Sequence, residues 1–198
     1  MKRIGVFGGA FDPPHAAHVA LARAAVAELH LDELRVIPTG HAWHKARPLT
    51  AAHHRLAMAQ LAFASLERVV VDARETERSG PSYTVQTLRE LKVQWPEAEL
   101  FLVMGEDQAR SLPTWLAWQE VLRLAIICVA ERGDWTGIKP RFMVPKLYES
   151  RFQSLPMPAM RVSATELRGR IATHQSLSPL VFETVARYID DHHLYQTA

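Results

Sequence analysis

The alternation of short apolar segments with longer helical ones restricts most strongly how this chain can fold. The segment "RIGVF" at residues 3–7 is typical of a buried strand, and residues 16–29 are alanine-rich with apolar positions at helical spacing. The same order recurs, with strands predicted at 33–40, 68–75, 98–105 and 125–133 and helices at 51–65, 82–95 and 116–124. Strands that alternate with helices predict an α/β fold, a Rossmann-like parallel sheet flanked by helices.

The last third of the chain departs from this rhythm. Residues 134–158 mix glycine, proline and polar residues, which predicts an irregular connection with at most a short strand near Phe142–Val144. Residues 163–174 and 178–195 then predict two helices, the second with Ser178 as N-cap and Pro179 at its first position. We therefore expect one domain over residues 1–198, in which residues 163–198 form a small C-terminal helical part.

Composition excludes several classes of protein. With 198 residues, 48% of them hydrophobic, the chain can bury its own core. Its one cysteine, Cys128, excludes an intramolecular disulfide and fits a reducing cytoplasm. Neither a secretory start nor a long uncharged apolar run is present, so we expect no membrane partner. The formal net charge of +2 is too small to predict nucleic-acid binding, so an anionic partner needs a local site.

The loop after the first predicted strand, "GGAFDPPHAAH", has the features of an anion site. Gly8 and Gly9 let a ligand approach the backbone, and the start of the following helix offers free N–H groups to a phosphate. If that helix begins near Pro14, His15 and His18 share one face of its first turn and can donate to one phosphate chain. A metal site and a purely structural role for the two histidines stay open, although no nearby cysteine or acidic residue completes the set of three ligands that a zinc site usually needs.

This stretch resembles the GG-x-FDP-x-H-x-GH signature of the nucleotidyltransferases that share the HxGH motif, which is related to the HIGH motif of class I aminoacyl-tRNA synthetases. The resemblance implies that the two histidines contact a nucleoside triphosphate and stabilise charge at its α-phosphate. The nucleotide-binding positions implied for the rest of the loop are Gly8, Gly9, Ala10 and Phe11. Ala17 stands where the signature has glycine.

A second anion-binding pattern, "RVSATELRGR", lies near the C-terminus. Ser163 is a good N-cap, Glu166 is placed as its capping-box partner, and Arg168 falls within the first turns, so N–H groups, a hydroxyl and a guanidinium can meet one anion. The same pattern also fits a helix that is merely well capped. It resembles the Ser-x-Thr-x-x-Arg motif of the same superfamily, which implies that Ser163, Thr165 and Arg168 hold the triphosphate from the opposite side.

The middle of the chain resembles the bacterial nicotinate-nucleotide adenylyltransferases in particular. "VIPTGHAWHK" is similar to that family's I-P-x-x-x-P-P-H-K segment and matches its His and Lys at His44 and Lys45, while Ala42 and Trp43 replace the prolines. "HHRLAMAQLA", "RETERSGPSYTVQTLREL", "FLVMGEDQARSLPTWLAWQEVL" and "LVFETVARYIDDHHLY" resemble further blocks of the family. Only about residues 134–158 go unmatched.

This resemblance implies a set of substrate contacts. The pyridine carboxylate would lie at a helix start formed by Tyr83 and Thr84, and the pyridine ring would stack on Trp115. A helix N-terminus suits a carboxylate, and an aromatic face suits a cationic ring. The other implied contacts are His44 and Lys45 on the substrate, Gly105 and Asp107 on the nucleotide, and Arg132 on the substrate phosphate. His15, His18, Lys45, Thr165 and Arg168 would share the catalytic work.

The implied reaction is transfer of the adenylyl group of MgATP to nicotinate mononucleotide, giving nicotinate adenine dinucleotide and pyrophosphate, with Mg²⁺ bound mainly through the ATP phosphates. The implied partners are ATP and nicotinate mononucleotide, and the sequence leaves the oligomeric state open, a homo-oligomer included. An acceptor such as nicotinamide mononucleotide or phosphopantetheine is the alternative within the superfamily. A noncatalytic nucleotide-binding regulator is the alternative outside enzymes.

Overall fold

The computed structural model describes residues 1–41, 48–132, 146–157, 160 and 162–196. The strands in this part of the chain are β1 (Arg3–Gly9), β2 (Glu33–Pro38), β3 (Val69–Val71), β4 (Glu99–Gly105), β5 (Ala125–Arg132) and β6 (Phe152–Met157). The helices are α1 (Ala16–Glu28), α2 (Ala52–Phe63), α3 (Arg74–Glu77), α4 (Thr84–Gln94), α5 (Glu106–Ser111), α6 (Trp118–Leu124), α7 (Ala164–Ala172) and α8 (Glu183–Asp191). Two 3₁₀ helices span Leu112–Thr114 and Lys146–Arg151 within the described residues.

The strands form one parallel sheet in the order β3-β2-β1-β4-β5-β6. Ile4 of β1 pairs with Glu33 of β2 on one side and with Leu100 of β4 on the other. The chain runs outward in one direction from β1 and in the other direction from β4, so the crevice between their carboxyl ends is the expected ligand site of such a sheet. The predicted parallel sheet flanked by helices is confirmed.

Helices cover both faces of the sheet because successive side chains of its strands point to opposite sides. On one face α1, α2, α7 and α8 pack on buried residues that include Phe7, Phe101 and Leu155. On the other face α4, α5 and α6 pack on residues that include Ile4 and Leu100. Within the described residues, no helix has the length and apolar character needed to cross a membrane.

The prediction of an irregular connection through residues 134–158 is wrong at its C-terminal end. Residues 152–157 form β6, which pairs with β5 so that Gln153 lies opposite Cys128. This strand is at the sheet edge, only Leu155 in it is fully buried, and Pro156 interrupts its pattern. An edge strand that forms by pairing with the adjacent strand shows little apolar periodicity in its own sequence. The short strand suggested near Phe142–Val144 lies outside the described residues.

The predicted start of the last helix is also wrong. Helix α8 begins at Glu183 with Phe182 as its N-cap, so Ser178 and Pro179 precede it. The backbone of residues 177–181 forms a turn instead, in which the Leu180 carbonyl accepts the N–H of Ala16 at 2.9 Å. The start of α1 therefore competes for a carbonyl that a longer α8 would have used.

The third strand is shorter than the predicted span of 68–75. It ends at Val71, and α3 begins at Arg74. The N–H of Arg74 donates to Oδ1 of Asp72 at 3.0 Å, a local side-chain contact that favours a turn over continued strand.

Candidate active site

The opening loop joins the central strand β1 to α1 at the crevice. Gly8 is exposed, and no described atom lies within 4 Å of the place where its Cβ would be, so a ligand can approach the backbone there. Gly9 packs on the buried ring of Phe11, which would lie 3.0 Å from an added Cβ. Phe11 has a φ of 48°, a left-handed conformation that turns the chain sharply after Ala10.

The two histidines of this loop are in direct contact. His15 is the N-cap of α1 rather than part of its first turn, and its backbone N–H donates to Nδ1 of His18 at 3.2 Å. Their rings stack with centroids 3.7 Å apart and an interplanar angle of 18°. Because Nδ1 of His18 accepts a hydrogen bond, the neutral ring carries its proton on Nε2, a donor suited to an anion. The two histidines therefore lie side by side at the start of α1, which begins at Ala16 rather than near Pro14.

The C-terminal motif meets this loop across nearly the whole length of the chain. Ser163 is the N-cap of α7, and its Oγ accepts the N–H of Glu166 at 3.2 Å, as predicted. Arg168 donates through Nη1 to the carbonyl of Asp12 at 2.8 Å and through Nη2 to Oγ1 of Thr165 at 3.0 Å. The hydroxyl and guanidinium of this motif therefore lie beside the histidine loop.

Glu166 takes part in the helix start through its backbone N–H, while its side chain has another partner. Its carboxylate lies 2.9 Å from Nη2 of Arg170, an ion pair one turn along α7. The backbone half of the predicted capping box is confirmed, and the carboxylate is engaged in this surface pair.

Arg55 of α2 holds the loops of the site together through buried hydrogen bonds. No role was predicted for this residue from the sequence. Arg55 is 1% exposed, and its guanidinium donates to three carbonyls from two loops: Ala10 at 3.0 Å in the loop after β1, and Gly40 at 3.0 Å and Thr50 at 2.7 Å at the two ends of the connection between β2 and α2. Burial lowers the pKa of the guanidinium, and the nearby Asp12 carboxylate opposes that shift.

A sequence signal for Arg55 does exist. It shares the buried stripe of α2 with Met58, Ala59 and Ala62, at spacings of three, four and seven residues. An arginine on the buried stripe of a helix requires partners, because a buried cation without hydrogen bonds is strongly unfavourable.

The loop after β2 contacts the segment that leads into α4. The N–H of Gly40 donates to Oγ of Ser82 at 3.1 Å, and the N–H of Ser82 donates to the carbonyl of His41 at 3.1 Å. Tyr83 is the N-cap of α4 and Thr84 is its first residue, as the predicted helix start requires. An added Cβ on Gly40 would lie 1.9 Å from the backbone oxygen of Glu75, so this position admits only glycine.

The remaining predicted residues lie at the same edge of the sheet or outside the described residues. Gly105 ends β4, and Asp107 is exposed in the first turn of α5. Trp115 is partly buried, donates through Nε1 to Oγ of Ser111 at 3.3 Å, and packs on the same core cluster as Tyr83. Arg132 ends β5. The predicted substrate residues His44 and Lys45 lie outside the described residues.

The donors around the crevice are suited to a polyanion. Histidine N–H groups, hydroxyls and a guanidinium converge there, and the described residues contain no group of three or more His, Cys, Asp or Glu side chains placed to hold a metal ion. The Asp12 carboxylate accepts from the Tyr195 hydroxyl at 2.7 Å and from the N–H of Thr50 at 3.4 Å. The arrangement can therefore neutralise and orient a chain of phosphates.

Comparison with known proteins agrees with this geometry. The model of the cytidylyltransferase-like family matches residues 6–170. The probable nicotinate-nucleotide adenylyltransferase of Albidiferax ferrireducens is 66% identical over 198 residues, covering 100% of both chains. The chain belongs to the nicotinate-nucleotide adenylyltransferase family. The corresponding probable enzyme of Methylibium petroleiphilum is 46% identical, over 98% of this chain and 92% of that one.

Solved structures show the same fold in a distant nicotinate-nucleotide adenylyltransferase. The nicotinic acid mononucleotide adenylyltransferase of Plasmodium falciparum, complexed with NaAD, superposes with a TM-score of 0.78. The two chains are 19% identical, and the match covers 98% of each.

Proposed function

We propose that the chain transfers the adenylyl group of MgATP to nicotinate mononucleotide, producing nicotinate adenine dinucleotide and pyrophosphate. The observation that carries this proposal is the hydrogen bond from Arg168 to the carbonyl of Asp12, because it brings the two anion-binding motifs to one place. The acceptor follows from the full-length relatives at 66% and 46% identity, which are named for this reaction.

The chemistry explains the kind of residues that the site contains. An oxygen of the mononucleotide phosphate forms a bond to the α-phosphorus, the bond from that phosphorus to the β-phosphate oxygen breaks, and its electron pair leaves with pyrophosphate. The attacking phosphate is already an anion at neutral pH, so no protein base is required. Catalysis then consists of positioning the two substrates and stabilising the charge that develops at the α-phosphate.

We assign the triphosphate to the space between the loop that follows β1 and the start of α7. In this assignment Nε2 of His18, together with His15, donates to the phosphate chain from the α1 side, while Thr165 and Arg168 bind it from the α7 side. Gly8 lets the nucleotide approach the loop backbone, and Lys45 is expected to add a further positive charge.

Magnesium enters this reaction as part of the substrate MgATP. The donors at the crevice are N–H groups and cations, which bind phosphate oxygens, so they fit the polyanion and leave the ion to the triphosphate itself. There it supplies charge neutralisation on the phosphates.

The acceptor is assigned to the other side of the crevice. The start of α4, at Tyr83 and Thr84, offers backbone N–H groups and a positive dipole end to the pyridine carboxylate. Trp115 packs on the same core cluster as Tyr83 and supplies an aromatic face for the ring. Nicotinamide lacks the carboxylate charge, so we expect the acid to be the better substrate.

We further infer that residues 1–198 form one domain. Leu167 of α7 and Val185 of α8 are buried in the same core cluster as Phe7 of β1. The C-terminal helices therefore share the core of the sheet rather than forming a separate unit. A reducing cytoplasm suits the single buried thiol of Cys128, whose pKa burial raises to about 12.

Pyrophosphate release tests the function directly. MgATP is supplied with nicotinate mononucleotide, nicotinamide mononucleotide or phosphopantetheine in separate reactions, and we expect the highest kcat/KM with the nicotinate form. Strong turnover with phosphopantetheine alone would refute the proposed acceptor and leave the fold assignment intact.

A matched pair of variants on α7 tests the triphosphate assignment. Arg168→Ala removes a preorganised donor and should lower kcat by roughly 10²- to 10³-fold. Arg170→Ala removes a neighbouring arginine that pairs with Glu166 at the surface, and it should leave kcat within about twofold. Equal losses in the two variants would contradict the assignment.

A further inference from the structure

The C-terminal tail contacts the opening loop through the hydroxyl of Tyr195. Tyr195 follows α8, and its OH donates to Oδ1 of Asp12 at 2.7 Å, a contact between residues 183 positions apart. Asp12 is only 2% exposed, and its backbone carbonyl is the one that Arg168 binds. Asp12, a buried residue of the opening loop, is thus bound both by the C-terminal tail and by α7.

The backbone of the tail is turned to make this contact. His193 and Tyr195 have φ values of 50° and 63°, in the left-handed region that non-glycine residues rarely occupy. Hydrogen bonds from the N–H of His193 to Asp190 and from the N–H of Leu194 to Ile189 fix the turn after α8. Such conformations persist only where the surrounding contacts enforce them.

The electrostatics of the contact favour one arrangement of the proton. Burial and the bond to Asp12 raise the pKa of Tyr195 well above its ordinary value, so the hydroxyl stays protonated and donates throughout the physiological range. The Asp12 carboxylate has its counter-charge in Arg55, whose guanidinium also donates to the carbonyl of Ala10 in the same loop. Tyr195 therefore joins Asp12 and Arg55 in a polar cluster of the opening loop that precedes the histidines.

We propose that Tyr195 is a positioning residue of the adenylyl transfer: through Asp12, its hydroxyl fixes the loop that presents His15 and the carbonyl bound by Arg168. This inference rests on the proposed function. It assigns Tyr195 no contact with either substrate, so its effect should be on the geometry of the triphosphate site rather than on binding of the mononucleotide.

A pair of tyrosine variants separates positioning from stability. Tyr195→Phe removes only the hydroxyl, and with it the hydrogen bond donated to Asp12 and the longer contact with Sδ of Met58 at 4.0 Å. Tyr188→Phe is the matched control, because its hydroxyl also belongs to the C-terminal segment but bonds Nδ1 of His54 at 2.9 Å, between α2 and α8. We expect Tyr195→Phe to lower kcat/KM for MgATP about tenfold with the KM for nicotinate mononucleotide within twofold, and Tyr188→Phe to leave both within twofold.

Amide hydrogen exchange supplies a readout that does not depend on activity. Exchange of the backbone amides in residues 8–15 should accelerate in Tyr195→Phe and not in Tyr188→Phe. The denaturation midpoint of each variant is measured as well, so that a general loss of stability is recognised. Unchanged exchange and unchanged kcat/KM in Tyr195→Phe, an unfolded Tyr195→Phe, or equal losses in both variants would overturn the inference. Failure of the wild-type chain to use nicotinate mononucleotide would refute the proposed function, while the exchange comparison would still decide the role of the hydroxyl.

Discussion

Replacing Arg55 by lysine tests the buried centre of the site most sharply. The guanidinium donates to the carbonyls of Thr50, Ala10 and Gly40 at 2.7, 3.0 and 3.0 Å, in three directions at once. A lysine ammonium on a single stem keeps the charge but cannot reproduce this planar fork. It would reach one or two of the three carbonyls and leave the others without a partner.

The size of the effect follows from the bonds lost. A buried polar group that loses its hydrogen-bond partner lowers the free energy of unfolding by about 1–3 kcal/mol. Hydrogen bonds to charged groups contribute more to stability than those between neutral groups. We therefore expect Arg55→Lys to lower the free energy of unfolding by about 2–4 kcal/mol. In a chain of this size, each kcal/mol of lost stability lowers Tm by about 2–4 °C, so we expect Tm to fall by roughly 4–16 °C.

Urea unfolding followed by circular dichroism measures the change. Arg187→Lys is the control, because this arginine is exposed and pairs with Glu183 one turn earlier on α8, so its unfolding curve should overlay the wild type. A loss below about 0.5 kcal/mol for Arg55→Lys would refute the claim that the three-way fork holds the loops together.

Three further predictions concern the histidine motif, a buried acid and two glycines. His18→Ala should lower kcat by roughly 10²- to 10³-fold, and a loss below about tenfold in steady-state assays would mean that the side chain only shapes the loop. Because burial raises the pKa of Glu75 in the folded chain, its neutral form contributes stability at low pH that is lost as pH rises through the raised value. The stability of wild type relative to Glu75→Gln should therefore fall in urea titrations as the pH rises above about 4.3, the ordinary pKa of a glutamate, and a constant difference would contradict this reasoning. Gly40→Ala should destabilise by about 1–3 kcal/mol because its Cβ meets the backbone of Glu75, whereas Gly169→Ala, in the open interior of α7, should gain up to about 1 kcal/mol; thermal melts that reverse this order would contradict the packing described.

The central part of the fold could be predicted from sequence because β1 and β4 are buried on both faces. Their apolar runs stand out at "IGVF" and "LFLVM", and the helices between the strands follow a clear period. The edge strand β6 could not, since it has one fully buried residue and owes its form to pairing with β5. The turn before α8 was missed because its Leu180 carbonyl is used by α1, a contact that no local pattern reveals.

The site divides in the same way. The position of Ser163 at a helix start follows from local capping chemistry, and His15 and His18 stand out through the resemblance of their short motif. Arg55 and Tyr195 lie within segments matched by resemblance, yet their roles depend on partners far away in the chain. Only the folded chain brings those partners together.

A crystal structure of the chain with a nonhydrolysable MgATP analogue tests the central claim most directly. We expect one triphosphate in contact with both ends of the chain, with a phosphate oxygen within about 3.2 Å of Nε2 of His18 and another within the same distance of the Arg168 guanidinium. A triphosphate that contacts only one of these two residues, or that lies away from the crevice between β1 and β4, would contradict it.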